Sequence, residues 1–120
     1  SQTHTLRDSL LGTGLPFKSK RHLKLYLKIL KDLCPRTSGI RRGGSAALDL
    51  CYVACGRFDG FWEFGLYPWD MAAGELIIQE AGGQITNMNG QRSSLVQENI
   101  IAGNPAIYLK LLAIIQKHIE

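Results

Sequence analysis

Two carboxylates, Glu63 and Asp70, lie seven residues apart on either side of one short connection. Glu63 stands in an apolar and aromatic stretch that predicts a strand. Asp70 follows Pro68, and proline is favoured at the first position of a helix because its missing N–H would have no partner there. Carboxylate oxygens bind hard metal cations and accept hydrogen bonds from hydroxyl groups. The pair predicts a metal site or polar-ligand site at this turn, although Asp70 could merely stabilise the helix N-terminus and Glu63 could be a strand surface residue.

A second candidate site is the glycine turn Gly43-Gly44-Ser45, which precedes a predicted helix. Glycine allows a close approach of the backbone, and the free N–H groups at a helix start suit anions or hydroxyl oxygens. The signal is weak alone, because such turns are common. Asp49, inside the helix, is expected to hydrogen-bond the backbone or Ser45 and is not counted as a ligand.

Apolar periodicity and turn residues predict the elements that position these groups. The predicted strands are residues 9–13, 38–42, 58–64, 84–88 and 99–102, and the predicted helices are 20–33, 46–55, one from Pro68 to the Gly82-Gly83 pair, and one from Pro105 capped by Asn104. The helix 20–33 has an apolar stripe formed by Leu23, Tyr26, Leu27, Leu30 and Leu33. The alternation of strand and helix predicts an α/β fold, a layered mixed sheet flanked by helices.

Length and composition indicate one globular domain of 120 residues and 13.3 kDa. No apolar run is long enough to span a bilayer, and the first residues do not resemble a signal peptide. The three cysteines, Cys34, Cys51 and Cys55, are an odd and sparse set, and we expect them to be buried, reduced thiols. We therefore expect a cytoplasmic protein without membrane partners.

The net charge of +4 is unevenly distributed, since nine of the fourteen basic residues fall between Lys18 and Arg42. Lys20, Lys24, Lys28 and Lys31 share one helix, which could bind nucleic-acid phosphates. A solvated helix surface is the more common explanation. Tyr26 is the one aromatic residue among these lysines that could stack on a base.

Three blocks of the sequence resemble a known family. They are Gly44-Ser45-Ala46-Ala47-Leu48-Asp49-Leu50-Cys51-Tyr52-Val53-Ala54, then Asp59-Gly60-Phe61 with Glu63, and Pro68-Trp69-Asp70-Met71-Ala72-Ala73-Gly74 through Glu80-Ala81-Gly82-Gly83. They closely resemble the C-terminal half of inositol monophosphatases of bacterial type. The resemblance runs from about Leu10 to Asn104, which is nearly the whole chain, and implies the α/β fold of the inositol monophosphatase and sugar phosphatase C-terminal domain.

The resemblance implies a magnesium-dependent, lithium-sensitive phosphomonoesterase that hydrolyses inositol monophosphate with metal-activated water. By this resemblance, Asp70 binds the catalytic Mg²⁺ and contacts a substrate hydroxyl, and Glu63 accepts hydrogen bonds from the hydroxyls of the inositol ring. Gly44, Ser45 and Ala46 help to seat the ring. Sister phosphatases acting on 3′-phosphoadenosine 5′-phosphate, a sugar bisphosphate or histidinol phosphate remain open. The family also implies a homodimer. The alternative to an enzyme is an RNA-associated or assembly module without catalytic activity.

The family's other metal ligands, a glutamate and an Asp-Pro-x-Asp-Gly-Thr motif, are absent from this sequence. We therefore expect residues 1–120 to form a C-terminal domain whose N-terminal half is its partner. One carboxylate cannot hold the metals that the reaction needs, so this chain alone should be inactive. The missing half is expected to pack at an open edge of the sheet, where the Glu63 and Asp70 carboxylates would face it.

Overall fold

The computed structural model describes residues 2–14, 22–66, 68–92 and 99–119, with the backbone alone for residues 68–71. The strands are β1 Leu10–Thr13, β2 Gly39–Arg42, β3 Gly60–Glu63, β4 Gln84–Thr86 and β5 Ile100–Gly103; the helices are α1 Leu23–Leu33, α2 Ala46–Ala54, α3 Pro68–Glu80 and α4 Pro105–Ile119. Short 3₁₀ turns cover Leu6–Asp8 and Cys34–Arg36. Within the described residues, no helix is long and apolar enough to cross a membrane.

The five strands form one mixed sheet in the order β2-β1-β3-β5-β4. β1 runs parallel to both β2 and β3, whereas β5 runs antiparallel to β3 and β4. The predicted fold class is therefore confirmed. Because parallel strands end on the same side of a sheet, β1, β2 and β3 all finish at one end, which we call the carboxyl end of the sheet.

Helices cover both faces of the sheet, and the alternation of strand side chains separates two cores. On one face, Leu11 and Trp62 are buried beneath α1 and α4. On the other face, Phe61 and Ile100 are buried beneath α2 and α3. Neighbouring residues of β3 thus point to opposite layers, so Glu63 belongs to the same face as Phe61 and lies on the side of α2 and α3.

The predicted apolar stripe of α1 is partly wrong. Leu23 and Leu27 are 43% and 51% exposed, whereas the buried residues are Tyr26, Ile29 and Leu33. Leucine occurs on more than one side of this helix, so spacings of three and four fit two different faces. Packing against the sheet and α4 selects the face that contains Ile29.

The ends of the helices follow their local sequence. The Asn104 side-chain oxygen accepts the Ile107 N–H at 2.9 Å, which caps α4 as predicted. After α3, Gly82 adopts φ = +82°, a left-handed conformation that favours glycine at the end of a helix. α1 ends at Leu33, and Pro35 follows in a 3₁₀ turn.

Candidate functional site at the carboxyl end of the sheet

Three adjacent strand ends bring the two predicted site regions to one place. Thr13 pairs with Arg42 on one side and with Trp62 on the other. The chain after β1 therefore separates the glycine turn that follows β2 from Glu63 at the end of β3. Two strand spacings amount to about 10 Å, which is enough for one small polar ring. Ligands bind in this position in many open α/β sheets.

Glu63 lies against Gly14, the residue that follows β1. A Cβ atom at position 14 would overlap the Glu63 carboxylate, so only glycine leaves room for that carboxylate here. Glu63 is half-buried, whereas Gly14 is buried. The sequence pattern did not single out Gly14, although a glycine directly after a buried strand was an available signal.

The glycine turn positions the start of α2 at the same end of the sheet. Ser45 is the N-cap, and its Oγ accepts the Leu48 N–H at 3.4 Å. Gly44 adopts φ = +88°, which favours glycine, and the Arg42 guanidinium lies 3.6 Å from where its Cβ would be. Gly44 and Ser45 are exposed and Ala46 is half-buried. Backbone N–H groups at this helix start are thus available to an oxygen-rich ligand.

The N-terminus of α3 also belongs to this region. α3 begins at Pro68, as predicted, so Asp70 is its third residue and lies in the first turn. α2 and α3 pack closely, because Gly74 leaves room for the side chain of Leu50. The Asp70 side chain lies outside the described atoms, and its role as a metal ligand stays a prediction.

Asp49 does not make the expected hydrogen bond to the backbone or Ser45. Among the described residues, neither of its carboxylate oxygens has a hydrogen-bond partner, although Asp49 is 1% exposed. Its carboxylate lies against Gly43, where a Cβ would overlap it. Burial raises the pKa of Asp49 to about 6, and the positive charge of Arg42 opposes that rise. The prediction is wrong because the Asp49 carboxylate lies beneath the glycine turn, against Gly43, and makes no hydrogen bond with Ser45 there.

A hydrogen-bonded pair lies beneath the site on the α1 side of the sheet. The Tyr26 hydroxyl is 3.3 Å from Thr13 Oγ1, and Thr13 Oγ1 donates to the Trp62 carbonyl at 2.9 Å. Burial raises the pKa of the Tyr26 hydroxyl, and the negative charge of Glu63 adds to that rise. Tyr26 therefore stays a neutral phenol that supports the ends of β1 and β3.

The donor set fits one side of a magnesium site. Mg²⁺ is commonly held by one or two carboxylates together with water and phosphate oxygens. Asp70, whose backbone lies in the first turn of α3, would supply a carboxylate of this kind, and the half-buried Glu63 carboxylate lies at the same end of the sheet. The described residues contain no group of three or more His, Cys, Asp and Glu side chains that could hold a metal ion. A magnesium ion bound by Asp70 would therefore need ligands beyond the described side chains.

The basic helix presents a charged surface away from this site. Lys24, Lys28 and Lys31 of α1 are exposed, whereas Lys20 lies outside the described residues. Tyr26 is 1% exposed, so the one aromatic residue expected to stack on a base is buried in the core. Cys34, Cys51 and Cys55 are free thiols, but Cys34 and Cys55 are exposed and Cys51 is half-buried, so the expectation that the cysteines are buried is wrong.

Comparison with known proteins gives a consistent result. The sequence model of the inositol monophosphatase family matches residues 1–120. The Putative Nus factor SuhB of Neisseria meningitidis serogroup B is 51% identical over 114 residues, which is 95% of this chain and 44% of that protein. The chain thus spans less than half the length of this relative.

Solved structures agree with the sequence match. Extragenic suppressor protein suhB from Bartonella henselae aligns with a TM-score of 0.91 and 46% identity, over 98% of this chain and 45% of that one. SaIMPase-II of Staphylococcus aureus, solved with inositol monophosphate bound, aligns with a TM-score of 0.83 and 26% identity, over 98% and 46%. Fold and sequence therefore indicate the same family.

Proposed function

Because this chain belongs to the inositol monophosphatase family, we propose that it is the C-terminal part of a Mg²⁺-dependent phosphatase that hydrolyses inositol monophosphate. One observation carries the proposal. The parallel strands β1, β2 and β3 end together, so Glu63, the Ser45 turn and the first turn of α3 occupy one end of the sheet. The inositol monophosphate bound to SaIMPase-II supports the choice of substrate.

In this proposal the residues of the chain bind and orient the substrate. Asp70 holds Mg²⁺ and one substrate hydroxyl, and Glu63 accepts hydrogen bonds from ring hydroxyls. The N–H groups of Gly44, Ser45 and Ala46 seat the ring from the opposite side. When bound, Mg²⁺ supplies a water of lowered pKa and neutralises charge on the phosphoryl oxygens.

The active enzyme needs a second portion of protein. Mg²⁺ phosphatase chemistry requires more carboxylates than Glu63 and Asp70 provide. The chain spans 44% of the Neisseria relative, so a complete protein of that length has room for the remaining ligands. We expect residues 1–120 alone to bind substrate weakly and to release no phosphate.

Glu63 discriminates between the substrates left open by the sequence. A carboxylate that accepts hydroxyl groups favours a neutral polyol ring over a second phosphate, since two like charges repel each other. The proposal therefore favours inositol monophosphate over a sugar bisphosphate or 3′-phosphoadenosine 5′-phosphate. A fusion protein tests this choice. It joins the part of the Neisseria relative that lies outside the match to residues 1–120 of this chain.

The assay measures phosphate release by the fusion protein with these substrates, with and without Mg²⁺. The proposal expects Mg²⁺-dependent turnover and the highest kcat/KM for inositol monophosphate. A higher kcat/KM for a bisphosphate would indicate that the protein is one of the related phosphatases instead. Absence of all turnover, in a folded fusion protein, would remove the enzymatic proposal.

A second candidate function is participation in a transcription complex. The Neisseria relative is named as a putative Nus factor. The exposed lysines Lys24, Lys28 and Lys31 give this chain a surface that suits nucleic-acid phosphates. Burial of Tyr26 favours contact with phosphates rather than stacking on bases. The two functions use opposite layers of the sheet and are compatible in one protein.

A further inference from the structure

The short connection between β3 and α3 controls the geometry of the candidate site. It runs over residues 64–67, from Glu63 at the end of β3 to Pro68 at the start of α3. Asp70 lies in the first turn of α3. The path of these few residues therefore sets the distance between the Glu63 carboxylate and the first turn that contains Asp70.

Packing fixes two positions of this connection on opposite sides of the sheet. Phe64 is 2% exposed, belongs to the core beneath α1 and α4, and stacks on the His22 ring with 5.0 Å between the ring centroids. Leu66 is 6% exposed and belongs to the core beneath α2 and α3. Gly65 lies between them and has no side chain, so packing of its own cannot fix its backbone.

A side chain from β5 holds Gly65 instead. Gly65 adopts φ = +77°, and glycine visits positive and negative φ about equally, so a further contact must select this conformation. The Gly65 N–H donates to Asn99 Oδ1 at 3.0 Å. Asn99 directly precedes β5, whose first residue, Ile100, pairs with Glu63. The hydrogen bond thus joins the connection to the same strand that holds Glu63 in the sheet.

We propose that Asn99 is a positioning residue of the candidate site, whose side-chain oxygen binds the Gly65 N–H and so fixes the first turn of α3 relative to Glu63. This inference rests on the proposed function, in which Glu63 binds ring hydroxyls and Asp70 binds Mg²⁺. Asn99 acts through the backbone and needs no contact with either ligand. Without its oxygen, the peptide at Gly65 can take other conformations, and small displacements of groups that bind substrate lower activity strongly.

Asn104 provides a matched control on the same strand. Its Oδ1 accepts the Ile107 N–H at 2.9 Å, so it makes the same type of hydrogen bond as Asn99 does. Asn104 follows the last residue of β5, Gly103, which pairs with Gly60 at the beginning of β3. Asn104 therefore lies at the opposite end of the sheet from the candidate site, and loss of its hydrogen bond reports stability alone.

Kinetics of the fusion protein test the inference with three variants. Asn99→Ala removes the acceptor, Asn99→Asp keeps an oxygen that can accept the Gly65 N–H, and Asn104→Ala is the control. We expect Asn99→Ala to raise both the Mg²⁺ concentration for half-maximal turnover and the KM for inositol monophosphate at least about fivefold. Asn99→Asp should stay close to the native values. Asn104→Ala should lower the Tm at least as much as Asn99→Ala does, but change neither kinetic value.

NMR of residues 1–120 tests the same inference without any activity. Hydrogen exchange of the Gly65 amide should be about tenfold faster in Asn99→Ala than in the native chain, because its hydrogen bond is lost. The amide signal of Asp70 should shift as well, since the first turn of α3 changes its position. Asn99→Asp should restore both signals, and Asn104→Ala should affect neither.

The two experiments separate this inference from the proposed enzyme. Native kinetic values in Asn99→Ala, or equal changes in Asn99→Ala and Asn104→Ala, would overturn the positioning role and keep the enzyme. In a folded fusion protein without turnover, a shifted Asp70 signal that Asn99→Asp restores would keep the positioning role and reject the enzyme. An unshifted Asp70 signal in Asn99→Ala would overturn the positioning role whatever the activity.

Discussion

The Glu63 carboxylate occupies the space beside Gly14 where every other residue would place its Cβ. This contact joins the ends of β1 and β3 and fixes the position of a carboxylate at the candidate site. Glu63 shares its sheet face with α2 and α3, whose first turns lie at the same end of the sheet. A single glycine thus controls where the carboxylate can lie.

Substitution of Gly14 by alanine should displace the Glu63 carboxylate. In the fusion protein, we expect Gly14→Ala to raise the KM for inositol monophosphate about tenfold, which corresponds to about 1.4 kcal/mol. Gly39→Ala is the control, since its nearest neighbour would be the flexible Leu10 side chain at 3.3 Å. An unchanged KM in Gly14→Ala would indicate that Glu63 does not bind the substrate.

The buried Asp49 should make the stability of the chain depend on pH. Its pKa is raised to about 6, so its contribution to stability is fully present below the unfolded pKa near 4 and is lost as the pH rises through about 6. Asp49→Asn removes that ionisation. We expect its advantage in unfolding free energy over the native chain to be roughly 2 kcal/mol larger at pH 7.5 than at pH 4.5.

Urea denaturation of residues 1–120 at the two pH values measures this difference. Glu80→Gln, an exposed acid of α3, is the control and should show no such pH-dependent advantage. An Asp49→Asn variant that loses stability equally at both pH values would indicate a hydrogen bond to the carboxylate rather than a cost of ionisation.

Asp32 joins the C-terminal ends of α1 and α4. Its carboxylate lies 2.9 Å from Lys117 Nζ, 2.7 Å from His118 Nε2 and 2.7 Å from Arg36 Nε. Hydrogen bonds from Lys117 first, then from His118 and Arg36, hold the pKa of Asp32 well below its usual range. The stabilisation is present above pH 4 and is lost as the pH falls below it.

We therefore expect Asp32→Asn to lower the unfolding free energy at pH 7 by about 1 to 2 kcal/mol, since the pairs are partly exposed to water. The loss should shrink at pH 3.5. Asp8→Asn is the control. The Asp8 carboxylate accepts an exposed hydrogen bond from the Thr5 hydroxyl, so this variant should change the unfolding free energy by less than about 0.5 kcal/mol. Thermal or urea unfolding measures all three proteins, and equal losses in both variants would exclude a special role for Asp32.

The exposed lysines of α1 should control any binding of RNA. The triple variant Lys24→Gln, Lys28→Gln, Lys31→Gln should weaken binding of a single-stranded RNA and reduce the salt dependence of its affinity, because up to three phosphate contacts are lost. Lys110→Gln on α4 is the control. Fluorescence anisotropy at two salt concentrations measures the affinity. Equal affinities of the triple variant and the native chain would show that these three lysines do not bind RNA.

Local signals in the sequence predicted what depends on neighbours along the chain. Pro68 at the start of α3, the Asn104 cap and the Gly82 terminus all follow from backbone chemistry within a few residues. The order of strands and helices, and with it the fold class, followed from periodicity.

Features that depend on distant contacts were not predictable from the sequence alone. The prediction of which side of α1 is buried was wrong, because only packing against the rest of the protein distinguishes Ile29 from Leu27. The Glu63 contact with Gly14 joins residues on separate strands, and no local pattern specifies it. The Asp49 carboxylate lies against Gly43 instead of hydrogen-bonding Ser45, and the packing of the glycine turn over α2 decides that position.

The most direct measurement compares Asp70→Asn with the native sequence in the fusion protein, by Mg²⁺-dependent release of phosphate from inositol monophosphate. Asparagine keeps the size of the side chain but removes the charge that Mg²⁺ binds. We expect turnover to fall at least about a hundredfold while the Tm stays within about 2 °C, since a first-turn carboxylate contributes little to stability. Glu80→Gln on the same helix should keep full turnover. Retained turnover in Asp70→Asn would contradict the assignment of a magnesium phosphatase site to this end of the sheet.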